Sequence, residues 1–160
     1  MQINTIRFGE VTIDDNKIIT FQDGLPGLEE FTRFAILQFE ESFPIVWLQC
    51  VDHHEICLPV IDTFSAMPDY AFNIADEDVK ELDLTGPEEL HIISVLVIPD
   101  NIERMTINQA APIIINMRTG FARQIILNGG EYNARTPFFA QLVKLIKEGG
   151  ADAGSVAQDK

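Results

Sequence analysis

The sequence predicts a mainly β protein: a compact β-barrel-like single domain with short helices and a C-terminal amphipathic helix. Two observations and one physical constraint carry that expectation. The first two thirds of the chain is a series of short apolar segments separated by turn residues. Helical patterning is confined to two short stretches. So many short strands must also hide their edges, either by closing into a barrel or by being covered. A chain of 160 residues is one domain's length, and 46% hydrophobic content with 11 Phe supplies its core.

In chain order, Thr5–Ile13 alternates through Ile6, Phe8, Val11 and Ile13, with Gly9 as a bulge or bend. Asp14-Asp15-Asn16 is a turn, after which Ile18–Phe21 resumes the strand. Asp23-Gly24-Leu25-Pro26-Gly27 reads as a rigid corner, because glycine admits positive φ and proline fixes it. Further strands are expected at Ala35–Phe39, Ile45–Val51, Ile56–Ile61, Leu90–Ile98, Met105–Ile107, Pro112–Asn116 and Gln124–Leu127. The stretch Asn108–Asn116, NQAAPIIIN, is a strand entered through a proline and bracketed by turn-forming asparagines.

The first helix is expected over Asp76–Leu82, with Asp76 capping and acids filling its first turn. A second begins at Thr136-Pro137, a cap followed by proline. Its apolar stripe is Phe138, Phe139, Leu142, Val143, Leu145 and Ile146, and Gly149-Gly150 stops it. The expected organisation is a barrel domain over 1–137, an amphipathic helix over 138–148 and a disordered tail over 149–160. The helix either docks on the barrel or imitates a partner's helix in a groove.

Charge narrows the function classes. Eleven Lys+Arg against 25 Asp+Glu give a net charge of −14. Such a field repels phosphate backbones, so direct nucleic-acid binding is not expected, and it attracts basic partners. No run reaches the roughly 18 apolar residues of a membrane span, and MQINTIRFGE has no export signal, so a cytoplasmic location without membrane contact is expected.

Chemistry is scarce. If Ile45–Val51 and Ile56–Ile61 form a hairpin, Cys50 and Cys57 are expected to face each other, with His53 and His54 at the tip. The spacing is poor for zinc, and two thiols packed as small hydrophobes is the favoured reading. His91 reads as an edge imidazole in solvent. No G-x-S-x-G elbow, phosphate loop or distinctive carboxylate pair occurs. The expectation is a protein without catalytic residues, metal or cofactor.

Several segments together resemble the bacterial flagellar assembly factor FliW family. Phe21-Gln22-Asp23-Gly24-Leu25-Pro26-Gly27-Leu28-Glu29 is similar to F-x-x-G-L-P-G-F-E, and Leu48-Gln49-Cys50-Val51-Asp52 to L-Q-x-x-D. Thr106–Asn116 is similar to T-x-N-L-x-A-P-I-x-I-N, followed by Gln124–Leu127 and Tyr132-Asn133-Ala134-Arg135. The match spans roughly residues 3–137. Leu28 replaces the usual Phe and Gln109 the usual Leu, so Gln109 must turn to solvent or find hydrogen-bond partners.

The resemblance implies a β-barrel-like fold and two partners, flagellin and the RNA-binding regulator CsrA. It implies that the protein holds flagellin before export and, once flagellin leaves, binds CsrA and relieves repression of flagellin translation. A flagellin-specific export chaperone without a translational role stays open, as does a small-ligand or metal-binding barrel around Cys50, His53 and Cys57. Asp69, Tyr70, Asp76, Glu77 and Asp78 are the candidate partner-binding residues, for their mix of acids and aromatics. The alternative for the helix acids is a solvated, self-capping helix start. Gly24, Pro26, Gly27, Asn108, Pro112 and Asn116 are read as architectural.

Overall fold

A computed structural model describes residues 1–151. The strands are β1 (Gln2–Thr5), β2 (Gly9–Thr12), β3 (Ile19–Phe21), β4 (Arg33–Leu37), β5 (Val46–Cys50) and β6 (Cys57–Asp62). They continue as β7 (Leu90–Val97), β8 (Thr106–Ile107), β9 (Ile113–Asn116), β10 (Phe121–Gln124) and β11 (Thr136–Pro137). The helices are α1 (Thr63–Ala66), α2 (Asp76–Glu81) and α3 (Phe139–Ala151). None of them is long and apolar enough to cross a membrane.

The seven strands β7-β6-β5-β4-β3-β10-β9 form a closed ring, because β9 pairs back onto β7. All neighbours are antiparallel except β3 and β10. Closure removes the exposed edges that so many short strands would otherwise present. β7 serves two partners in succession: Leu90–Ile93 pairs with β9, and Leu96-Val97 with β8.

Side-chain alternation shares the barrel strands' residues between the interior and the outer wall. Phe21, Phe34, Leu48, Cys50, Val60, Ile93, Ile113 and Ile115 fill the barrel interior. The outer wall is covered in three places. The β1–β2 hairpin lies over Ala35, Leu37 and Trp47. The α2 segment covers Ile92 and Ile114 with Leu82, flanked by Phe72, Ile74 and Leu84. The third cover, α1 and α3, packs Ala66, Phe138 and Leu142 on Ile61, Leu96, Met105 and Ile107. Three successive buried isoleucines in β9 follow directly, since both of its faces are apolar.

Gly24, Pro26 and Gly27 lie in a turn, and Asn108 and Pro112 lead from β8 into β9. Gly24 and Gly27 have φ of +72° and +85°, and the Leu28 N–H donates to the Leu25 carbonyl at 2.7 Å around Pro26-Gly27. Asn108 Oδ1 accepts from the Ala110 and Ala111 N–H groups at 2.9 and 3.1 Å, turning the chain from β8 into β9. Pro112 precedes the first β9 residue and its carbonyl accepts from Ile125 N–H. Asp52 holds Arg33 through both carboxylate oxygens, at 2.5 and 3.1 Å, and this pairing lowers the Asp52 pKa.

Several expectations are corrected. Thr5–Ile13 is a hairpin whose turn is Ile6–Phe8, rather than one strand, since Ile3 pairs with Val11. The strand expected at Gln124–Leu127 lies earlier, at Phe121–Gln124, although the Ile125 and Leu127 N–H groups still bond across to Pro112 and Ala110. Thr136-Pro137 caps no helix. It pairs with β8 as an edge strand, where the N–H that proline lacks is not needed, and α3 starts at Phe139. The helix also runs through Gly149-Gly150 to Ala151. Gly149 permits close packing, because a Cβ there would strike the Phe43 ring. Apart from these first residues, the tail expected over 149–160 lies outside the described residues.

A candidate partner-binding surface

The five candidate residues divide by environment. Asp69, Asp76 and Glu77 are exposed, whereas Tyr70 is 6% exposed. The Tyr70 hydroxyl donates to the Gln109 carbonyl at 2.6 Å, and burial pushes its pKa up to about 12, with Tyr132 nearby adding to the shift. Asp78 turns inward to meet Arg123 Nη1 at 3.3 Å, leaving 14% of its side chain exposed. Tyr70 is therefore open only to the groove that it lines, and most of the Asp78 side chain is withdrawn from solvent. Nor does Asp76 cap α2: that position is Ala75, with no side-chain cap, and Asp76 only adds favourable charge to the first turn.

A buried polar network ties α2 to the barrel. Asn116, wholly buried, donates from Nδ2 to the Leu82 and Asp83 carbonyls at 2.8 and 3.2 Å. Its Oδ1 accepts from the Arg118 N–H at 2.9 Å. Arg118 then bonds the Asp83 carbonyl at 2.6 Å and the Glu89 carboxylate. Glu89 also accepts from Thr85 N–H at 2.6 Å, the Thr85 hydroxyl at 2.9 Å and Gly86 N–H at 3.1 Å. The Thr85 N–H and the Arg118 guanidinium are the main reasons that the Glu89 pKa falls from 4.5 to about 2.

That shift has a pH signature. A carboxyl whose folded-state value is depressed adds stability above its unfolded-state value and loses it as pH falls through the folded one. Glu89 therefore stabilises the fold above pH 4.5, and its contribution disappears between 4.5 and about 2. In Glu89→Gln the thermal midpoint should fall less steeply over that interval than in the parent. Two parallel profiles would show that Glu89 is not the titrating group.

Beside Asp69 runs a groove of about 600 Å³ between the α1–Tyr70 loop and α3. Its apolar lining includes Met67, Tyr70, Ile107, Tyr132, Phe138 and Leu145, and its rim carries Asp69, Lys144 and Glu148. Tyr70 anchors an aromatic set, with ring centroids 4.5 Å from Tyr132, 5.6 Å from Phe72 and 6.3 Å from Phe64. The Tyr132 hydroxyl donates to the Ala71 carbonyl at 3.0 Å and accepts from the Ala71 N–H at 3.2 Å. Gln109 finds partners within the protein: Nε2 reaches Met67 Sδ at 2.9 Å, and Oε1 accepts from the Thr136 hydroxyl at 2.8 Å. Met67, Tyr132 and Gln109 were not singled out as site residues. Gln109 and Tyr132 reach Tyr70 across 39 and 62 residues of sequence, which no local periodicity reports, whereas Met67 lies one turn before it.

The alternative centre around the cysteines does not assemble. Gln49 pairs with Cys57, and the Cys50 N–H bonds to Ile56, so the two thiols point to opposite faces of the sheet. Cys50 enters the barrel interior, while Cys57 packs beneath the β1–β2 hairpin. Burial raises both thiol pKa values. Among the described residues, no group of three or more His, Cys, Asp or Glu side chains converges on one point. His91 lies on the central strand β7, with Nδ1 3.5 Å from Asp62, rather than at an open edge.

Comparisons with known proteins agree with this architecture. The family model described as "FliW protein" matches residues 2–138. A flagellar assembly factor FliW from Thermosipho africanus is 38% identical over 136 residues, covering 84% of this chain and 93% of that protein. Another, from Ruminiclostridium cellulolyticum, is 36% identical over 145 residues, covering 90% and 98%. A crystal structure of the flagellar assembly factor FliW superposes with a TM-score of 0.81 at 29% identity, covering 87% of this chain and 97% of that one. A seven-strand barrel with covered walls, the ordered motifs and identity along nearly the whole length establish that this chain belongs to the FliW family of flagellar assembly factors.

Proposed function

We propose that this protein acts in the cytoplasm as a partner switch: it holds flagellin and, when empty, binds the translational regulator CsrA and relieves repression of flagellin translation. The observation that carries the reading is the groove of about 600 Å³ between the α1–Tyr70 loop and α3, apolar within and rimmed by Asp69, Lys144 and Glu148. An amphipathic flagellin helix lays its apolar face over Met67, Tyr132 and Leu145, as helix-in-groove recognition requires. Asp69, Asp76 and Glu77, on a chain of net charge −14, draw in the basic RNA-binding face of CsrA.

The test is a titration of the full chain with each purified partner, then with both, at low and high salt. The charge-reversal variant carries Lys at positions 69, 76 and 77 and keeps Asp78, whose loss would unseat Arg123. The expected result is a CsrA on-rate lowered by roughly tenfold or more at low salt, with the difference shrinking as salt rises. Unchanged kinetics would remove these acids from the site. Flagellin binding without any CsrA binding would leave an export chaperone in place of the switch.

A further inference from the structure

We propose that Asn128 is a self-modification site, at which the chain converts its own asparagine to aspartate and isoaspartate. Asn128 is the one asparagine of eight that is followed by glycine. Asn128, Gly129 and Gly130 are all exposed, in a turn leading from Leu127 to Tyr132. Among the described residues, neither the Asn128 side chain nor the Gly129 N–H makes a hydrogen bond. No hydrogen bond among the described residues restrains the Asn128 amide or the next nitrogen.

Three of the other seven asparagines show the contrast most fully. Asn101, Asn108 and Asn116 have their side-chain oxygens engaged by backbone N–H groups. Each is followed by a bulkier residue, Ile102, Gln109 or Met117, which shields the attacking nitrogen. Gly129 has no side chain, and a Cβ built there would meet no atom within 4 Å.

The reaction needs only water and mild base. The Gly129 N–H gives up its proton, the nitrogen bonds to Asn128 Cγ, and the side-chain nitrogen leaves as ammonia. Water then opens the cyclic imide. Cleavage at Cγ yields aspartate; cleavage at the backbone carbonyl yields isoaspartate, with the main chain rerouted through Cγ. The net change is one water consumed and one ammonia released, without oxidant or cofactor.

Position makes the change consequential. Asn128 helps line a cleft of about 380 Å³ with Ala71, Phe72, Asn73, Glu131 and Tyr132. Tyr132 also lines the larger groove. Conversion adds a carboxylate near Glu131, and the isoaspartate form inserts an extra methylene into a turn anchored at Leu127 and, through the Tyr132 hydroxyl, at Ala71. The converted protein presents a more acidic and reshaped rim.

The test incubates the full chain in mildly alkaline buffer beside a synthetic peptide of residues 126–132. Mass-spectrometric mapping and isoaspartate-specific enzymatic methylation follow both. Conversion at Asn128 is expected, with isoaspartate exceeding aspartate and the other seven asparagines intact. Gly129→Ala should slow it by about an order of magnitude, through lost backbone freedom and added shielding, without disturbing the fold. Two results overturn the proposal: Asn128 surviving in the folded chain while the peptide converts, or Gly129→Ala reacting as fast as the parent.

Discussion

Replacing Phe138 with alanine should lower the unfolding free energy by about 3–5 kcal/mol, the usual range for emptying a large aromatic site in a core. Phe138 is 3% exposed and packs among Ile61, Leu96, Met105, Ile107 and Leu142, where α3 meets the outer wall of the barrel. Its N–H also donates to the Met105 carbonyl at 3.0 Å, so the backbone stays in place and the cavity cannot close easily. For a chain of this size the thermal midpoint should drop by roughly 10 °C or more. Truncation after Arg135 should cost more still, because it uncovers Ile61, Leu96 and Ile107 together. A self-occluding helix would behave differently: the shortened protein would keep its stability and bind flagellin more tightly. Denaturant unfolding of both variants, read with a flagellin titration, separates the two roles.

Asn116→Leu should be the second most damaging substitution, at about 3 kcal/mol, because it deletes the partner of several backbone groups at once. The Leu82 carbonyl and the Arg118 N–H lose their bonds to a side chain that is completely buried. The damage should be local first. Amides of residues 76–84 should exchange faster, while those of 48–50 and 113–115 stay protected until global unfolding. Asn116→Asp, nearly the same in shape, sharpens the test. It keeps the acceptor for Arg118 but aims a second oxygen at two carbonyls, so it should destabilise as well. A stable Asn116→Asp with unchanged exchange over 76–84 would show that this side chain does not hold α2.

The two cases illustrate how much was legible in the chain. The apolar stripe of the last helix, Phe139 and Leu142 included, follows from spacing alone, and so does the turn chemistry at Gly24-Leu25-Pro26-Gly27. Asn108 and Asn116 could be assigned to turns, and both do turn the chain. That Asn116 also reaches across to Leu82 was not visible, since the two are joined only when α2 folds over β9. The candidate acids were legible as a type but not as individuals. Asp76, Glu77 and Asp78 look alike in sequence, and only the approach of Arg123 from β10 takes Asp78 out of solvent. The cysteine pair failed for a related reason: a one-residue offset in hairpin register sends adjacent side chains to opposite faces.

By itself, the sequence determined the strand-rich class, the acidic surface and the turns. These are local or summed properties: alternation, net charge and the φ preferences of glycine and proline act over a few residues or over the whole chain. The tertiary structure alone decided the closure of β9 onto β7, the three covers on the outer wall and the groove where Met67, Tyr70 and Tyr132 meet. Those depend on pairing between distant segments, in which burial of both strand faces and the supply of hydrogen bonds to buried groups choose one register, and no short stretch of sequence contains that choice.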